Sequence, residues 1–219
     1  IDPRGCATVM LNRPDRGNAL DSEMLTALRN TLAVIRDRAA VRVVILRGAG
    51  KHFCSGMDVS AIKPTGVTVH GPGVGPVCLL LDTLPKPVIG VVQGAAIGAG
   101  CALVACCDVV IAAAEASFAI PEVRLGLAPS SRTPFFLRAL GCRQRRRYML
   151  SGERMPAYRA AALGLVHELC PANAVEAMAS EIVDGLLRAA PNAFAITKAA
   201  IAKLSVGSIG EQILIDLES

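Results

Sequence analysis

The chain has no tryptophan, and only five phenylalanines and two tyrosines among its 219 residues. That leaves little material for the base-stacking platforms of single-strand nucleic-acid binders, so no nucleic-acid partner is expected. Charge is also sparse. Charged residues make up 19% of the chain against 53% hydrophobic, with a formal net charge of +5 and no long charge runs. A disordered chain shows the reverse balance, and 219 residues suffice for one α/β domain with a proper core. Histidine occurs three times, widely scattered, so no metal site is expected. The eight cysteines include no CxxC pair. With no secretory signal visible, they read as small buried apolar residues in a reducing, cytoplasmic setting. The one basic cluster, Arg143, Arg145, Arg146 and Arg147, reads as a solvated helix face.

Between Val88 and Ala114 only Gln93 and Asp108 interrupt an apolar stretch long enough to suggest a membrane span. Gly90, Gly94, Gly98 and Gly100 punctuate it, and Pro85 and Pro87 precede it. Such punctuation favours a buried strand, a turn, a short helix and another strand, so no membrane association is expected.

Along the chain, Ala7 to Leu11 reads as a strand closed by Asn12, Pro14 and Gly17. A helix capped by Asp21 or Ser22 should follow, with Leu25, Leu28, Leu32 and Ile35 on its buried face. Val43 to Leu46, Val88 to Val92 and Val109 to Ala113 read as further buried strands. Val77 to Leu84 reads as a helix, Thr65 to Pro76 as a mobile surface loop, and Gly94 to Gly100 as a tight turn into a helix ending near Ala105. From Pro134 onward the pattern is helical, over Arg138–Leu150, Ala157–Leu163, Ala174–Ala190 and Ala193–Leu204. Strands therefore concentrate in the first 120 residues and helices in the last 90.

Three segments carry the candidate chemistry. The run Gly94 to Gly100 brings bare backbone N–H groups to a helix start, where a phosphate or a developing oxyanion can be held. The same small residues would equally serve close helix–strand packing. The spacing is not GxGxxG, which counts against a dinucleotide site. The second segment, Lys51 to Asp58, offers the N–H of Met57 after Gly56. His52 and Cys54 in it suggest a nucleophile and base, but no third group orients them. In the third, Phe118 to Gly126, Glu122 follows Pro121 within apolar surroundings. Burial disfavours the charged form of a carboxylate, which suits acid–base work near neutrality. The alternative is an exposed glutamate paired with Arg124.

Taken in order, these segments resemble the enoyl-CoA hydratase/isomerase (crotonase) superfamily. Leu11-Asn12-Arg13-Pro14 through Leu20 is similar to its opening signature, and Phe53-Cys54-Ser55-Gly56-Met57-Asp58 to its first oxyanion-hole segment. Pro87 through Cys101 resembles the second, Pro121 through Leu127 the catalytic stretch, and Ser151-Gly152-Glu153 and Ala161 through Val166 continue the match. No single motif is decisive; the ordered set is strong.

The resemblance implies an α/β fold, a crotonase-like spiral of ββα units over residues 1–133 with a helical C-terminal region over 134–219. It implies a trimer or hexamer and an acyl-CoA substrate, with no cofactor beyond the coenzyme A of that substrate. Carried over residue by residue, Met57 and Ala99 would donate to the thioester oxygen and Glu122 would move protons. Arg16, Ala19, Asp58, Gly56 and Gly98 would line the substrate. Hydratases of this family use two glutamates, and the first would fall at position 102, here Ala102. Ser130 stands where some dienoyl isomerases carry a further acid. One base suffices to move a double bond, so the resemblance favours isomerase-like chemistry over efficient hydration. A degenerate paralogue that only binds acyl-CoA is the other reading. The chain opens on Ile1, as a trimmed sequence would, and the family resemblance implies more helix beyond Ser219.

Overall fold

A computed structural model of the chain describes residues 1–58, 73–128 and 130–204. Its main sheet holds five parallel strands in the order β1 (Cys6–Leu11), β2 (Val43–Gly48), β3 (Val88–Val92), β5 (Val109–Ala113) and β8 (Glu168–Cys170). A smaller sheet contains β4 (Ala95–Ile97), β6 (Ser117–Ala119) and β7 (Met155–Pro156). Parallel neighbours require crossovers, and α1 (Ser22–Asp37), α2 (Val74–Asp82) and α3 (Ala99–Ala105) supply three of them.

Each crossover repeats one unit. A long strand enters the main sheet, a short extended piece joins the small one, and a helix returns. For β3-β4-α3 the short piece is a full strand. In the first two turns it is a single bridge, Leu20 to Met57 and Cys54 to Ala96. The small sheet thus grows sideways turn by turn, and it stacks the segments that hold the site.

The middle strands are covered on both faces, as a parallel sheet must be. In β3, Val88 and Val92 join the core shared with α1, α2 and α3, while Ile89 and Val91 face the core built on α6 (Val175–Leu187). The α1 stripe is the expected one, Leu25, Leu28, Leu32 and Ile35, all buried. Each such side chain contributes about 1.5–3 kcal/mol of transfer free energy. Asp21 caps the helix, its side chain accepting from Met24 N.

Some expectations hold and others change. The apolar stretch from 88 to 114 is divided among β3, β4, α3 and β5, and no helix among the described residues is long and apolar enough to cross a membrane. The turn expected at Gly94–Gly100 contains β4. Strands do not stop at residue 120, because β7 and β8 lie in the later region and β8 extends the main sheet beside β5. The loop expected at Thr65–Pro76 lies mostly outside the described residues, and its last residues open α2. The helix α4 (Thr133–Ser151) starts earlier than the periodicity suggests and is kinked at Gly141, whose φ is 66°. In the basic cluster on α4, Arg143, Arg146 and Arg147 are exposed, and Arg147 forks onto Glu153. All eight cysteines are free thiols and six are buried.

Helix α5 (Ala157–Ala162) follows β7, and α7 (Pro191–Leu204) is pinned to the sheet by one cation. Lys198 Nζ lies 2.6 Å from Asp108 Oδ2, which also accepts from Val88 N at 2.8 Å. Burial pushes the Asp108 carboxyl up from its ordinary range, and Lys198 opposes that shift. Lys198→Met is expected to cost about 3 kcal/mol at neutral pH, read from the urea midpoint, because it strands a largely buried carboxylate. The loss should shrink at acid pH, where Asp108 is protonated in the folded and unfolded chain alike.

Candidate active site

The site is assembled from the segments that follow β2, β4 and β6. Leaving β2, the chain is packed so tightly that a Cβ on Gly48 would come within 2.3 Å of Phe53 O. Asn18, fully buried with φ 58°, organises this turn. Its Oδ1 accepts from Arg13 N, and its Nδ2 donates to Ala49 O and His52 O. The following segment is then held on two sides. Cys54 N donates to Ala95 O and Ile97 N to Cys54 O, while Leu20 N donates to Gly56 O and Asp58 N to Leu20 O. In a parallel bridge those last two bonds use the peptides on either side of Met57. Met57's own N–H points the other way and donates to no described residue.

The second bare donor is Ala99 N. Gly98 turns the chain at φ 53°, ψ −116°, a conformation reserved for glycine, and Ala99 opens α3. An N–H in the first helical turn has no intrahelical acceptor, and Ala99 N donates to no described residue. The two donor segments are adjacent: a Cβ on Gly56 would lie 3.9 Å from Ala99 N. Closer approach of the same segments puts Cys54 O within 2.5 Å of a Cβ on Gly100.

Glu122 comes from the 3-10 turn after β6, following Pro121. It is 6% exposed. A Cβ on Gly98 would sit 3.0 Å from Glu122 Oε1 and 3.9 Å from Oε2, so the carboxylate lies over the Gly98 backbone, next to the Ala99 peptide. Arg124 is not its partner; that side chain donates to Ser151 O. The cation on Glu122 is Arg132, whose Nη2 lies 3.2 Å from Oε1. Contrary to the apolar surroundings read from the sequence, the turn Ser130–Arg132 returns a guanidinium to the carboxylate. Glu122 Oε2 is buried without a hydrogen-bond partner.

Of the other expected residues, Arg16 is exposed on the 3-10 turn Pro14–Arg16, and Ala19 is buried. Asp58 is engaged by Arg13, whose Nη1 lies 3.1 Å from Asp58 Oδ2 and 3.0 Å from Asp21 Oδ2 and donates to Ala19 O. His52 and Cys54 do not form a nucleophile–base pair. His52 Nδ1 accepts from Ala95 N, and burial pushes the Cys54 thiol up to about 12. Ala102 is fully buried, one helical turn beyond Ala99. No group of three potential metal ligands occurs among the described residues. Sequence reasoning missed Arg13, Asn18 and Arg132. The one available signal for Arg132 was a lone cation in an apolar stretch, ten residues after Glu122 and just before a Thr-Pro helix start.

This is an α/β protein of repeated strand–strand–helix turns, with a buried carboxylate set beside two backbone donors that have no partner among the described residues. Residues 2–217 match the family model described as Enoyl-CoA hydratase/isomerase, and the chain belongs to that family. It is 34% identical over 201 residues to the short-chain-enoyl-CoA hydratase of Clostridium acetobutylicum, covering 89% of this chain and 77% of the relative. Among solved structures, Pseudomonas aeruginosa AtuE superposes with a TM-score of 0.88 at 36% identity, covering 99% of this chain and 86% of its own. An enoyl-CoA hydratase from Shewanella pealeana gives a TM-score of 0.87 at 32% identity, covering 98% and 82%. The fold is the crotonase-like spiral of ββα units with a helical C-terminal region.

Proposed function

We propose that the chain acts on an unsaturated fatty acyl-CoA, moving the double bond by proton transfer through Glu122. The observation that carries this reading is the Glu122 carboxylate, one oxygen unpartnered, lying beside Gly98 and the free Ala99 N–H. A 3-enoyl thioester gives up a C2 proton to the carboxylate, and its electron pair delocalises over C2 to C4 and onto the thioester oxygen. Met57 N–H and Ala99 N–H donate to that oxygen, each supplying about 3–4 kcal/mol of stabilisation by analogy with other oxyanion donors. Glu122 returns the proton at C4, leaving the conjugated 2-enoyl thioester and the carboxylate restored. No external oxidant, metal or cofactor enters this balance.

Around this centre Gly56 and Gly98 leave room for the thioester, and Arg16 is the exposed cation suited to the nucleotide phosphates. Ala19 and Asp58 act through their ties to Arg13, which fix the Met57 segment. We place the chain in a trimer or hexamer, as the family resemblance implies. Ala102 is the reason to favour isomerisation over hydration, since a methyl group cannot hold or activate water. The same residue supports a second reading, an acyl-CoA binder without turnover. A screen of 2-enoyl- and 3-enoyl-CoA thioesters of several lengths separates the two, because binding without conversion of any favours the binder.

Ala102→Glu is expected to raise hydration of a short 2-enoyl-CoA. Position 102 lies three residues beyond Ala99, on the same helix face, so a carboxylate there could share a water with Glu122. The gain should be modest, because Ala102 is fully buried and a new charge there costs stability. Loss of the conjugated enoyl absorbance in parent and variant measures it, and a folded variant with no faster hydration contradicts the role given to Ala102.

A further inference from the structure

An arginine side chain presents two N–H groups on one edge, from Nε and Nη2, spaced to meet both oxygens of a carboxylate at once. Around Glu122 only half of that fork is closed. Arg132 Nη2 meets Oε1 at 3.2 Å, while Arg132 Nε and Glu122 Oε2 are both buried without partners. The unpaired donor and the unpaired acceptor are the two atoms that a closed fork would join. Both side chains are largely withdrawn from solvent, 14% and 8% exposed, so neither rotates freely in water.

We propose that Arg132 is the positioning residue for Glu122, anchoring Oε1 so that Oε2 is the atom that takes and returns the substrate proton. The inference rests on the reading of Glu122 as the base, and it assigns separate tasks to its two oxygens. Gly98 limits movement of the same oxygen, because the space beside its backbone is so close that a Cβ there would stand 3.0 Å from Oε1. Held between that backbone and the guanidinium, the carboxylate has one free lobe. The arrangement also bears on Ala102. A hydratase positions its base and water with two carboxylates, whereas here a cation orients the single one, which suits a proton shuttle.

The test is steady-state kinetics of Arg132→Gln and Arg132→Lys, alone and combined with Glu122→Gln, on whichever enoyl-CoA the enzyme converts. Arg132→Gln should lower kcat by about tenfold or more, as misplacement of a reacting group does, with KM changed less than about twofold. Arg132→Lys should recover part of the loss, since it restores the charge but not the fork. In the Glu122→Gln background the Arg132→Gln change should add little, because the two residues act as one unit. A folded Arg132→Gln enzyme with parental kcat overturns the proposal. So does a loss confined to KM, or one of equal size in the Glu122→Gln background. If Arg132→Gln does not fold, Arg132→Lys carries the test, with an intermediate kcat expected and a parental kcat overturning it. A fully active Glu122→Gln enzyme would instead remove the base assignment itself, which distinguishes that failure from this one.

Discussion

Glu122→Gln is expected to lower turnover by about two orders of magnitude or more while leaving coenzyme A thioester binding nearly intact. The amide has the size of the acid and can still meet Arg132, but it takes no proton. On the proposed reading binding survives, because the thioester oxygen would be held by backbone donors, Met57 N and Ala99 N, on segments fixed by other bonds. Cys54 N to Ala95 O and Gly98 N to Ala119 O do not involve the Glu122 side chain. Removing the charge also leaves the largely buried Arg132 guanidinium without its anion, so the urea midpoint should fall even though the fold is retained. Turnover within a few-fold of the parent would place the base elsewhere.

Gly98→Ala is the second large effect, and it acts on structure and chemistry together. Residue 98 adopts φ 53°, ψ −116°, so a side chain there is strained by about 1–3 kcal/mol. Its methyl would also stand 3.0 Å from Glu122 Oε1, and the carboxylate must move. A shift of a few tenths of an ångström next to the reacting atoms is smaller than the ~1 Å that costs about a hundredfold, so the rate should fall on the order of tenfold. The loss should appear in kcat together with a lower urea midpoint. A Gly98→Ala enzyme of parental stability and rate would mean that Glu122 does not rest on this backbone.

Some parts of this molecule were open to reading from the residues alone, and the difference has a physical basis. The helix α1 was, because Leu25, Leu28, Leu32 and Ile35 mark one face and Asp21 caps it. So were β3 and β5, continuous apolar runs bounded by turn residues. The strands β4, β6, β7 and β8 were not. At two or three residues each they carry no periodicity, and only the partner beside them makes them strands. Helix α4 began earlier than expected because Thr133 and Pro134 form its first turn and Gly141 interrupts its pattern.

The site divides along the same line. Met57, Ala99 and Glu122 sit in short motifs whose order along the chain carries the resemblance. Arg132 reaches Glu122 only because two 3-10 turns fold the intervening chain back. The Arg13–Asp58 pair spans 45 residues and closes only once β1 and β2 are paired. Contacts of that sort depend on chain reversal and register, which no local pattern encodes.

The most direct measurement sets two reactions of one preparation side by side. Appearance of conjugated absorbance from a 3-enoyl-CoA reports isomerisation, and its disappearance from the matching 2-enoyl-CoA reports hydration. With one carboxylate at the centre and Ala102 in place of a second, isomerisation should be the faster of the two, and Glu122→Gln should slow it by about two orders of magnitude or more. Hydration as fast as isomerisation, or faster, would contradict the single-carboxylate proton shuttle.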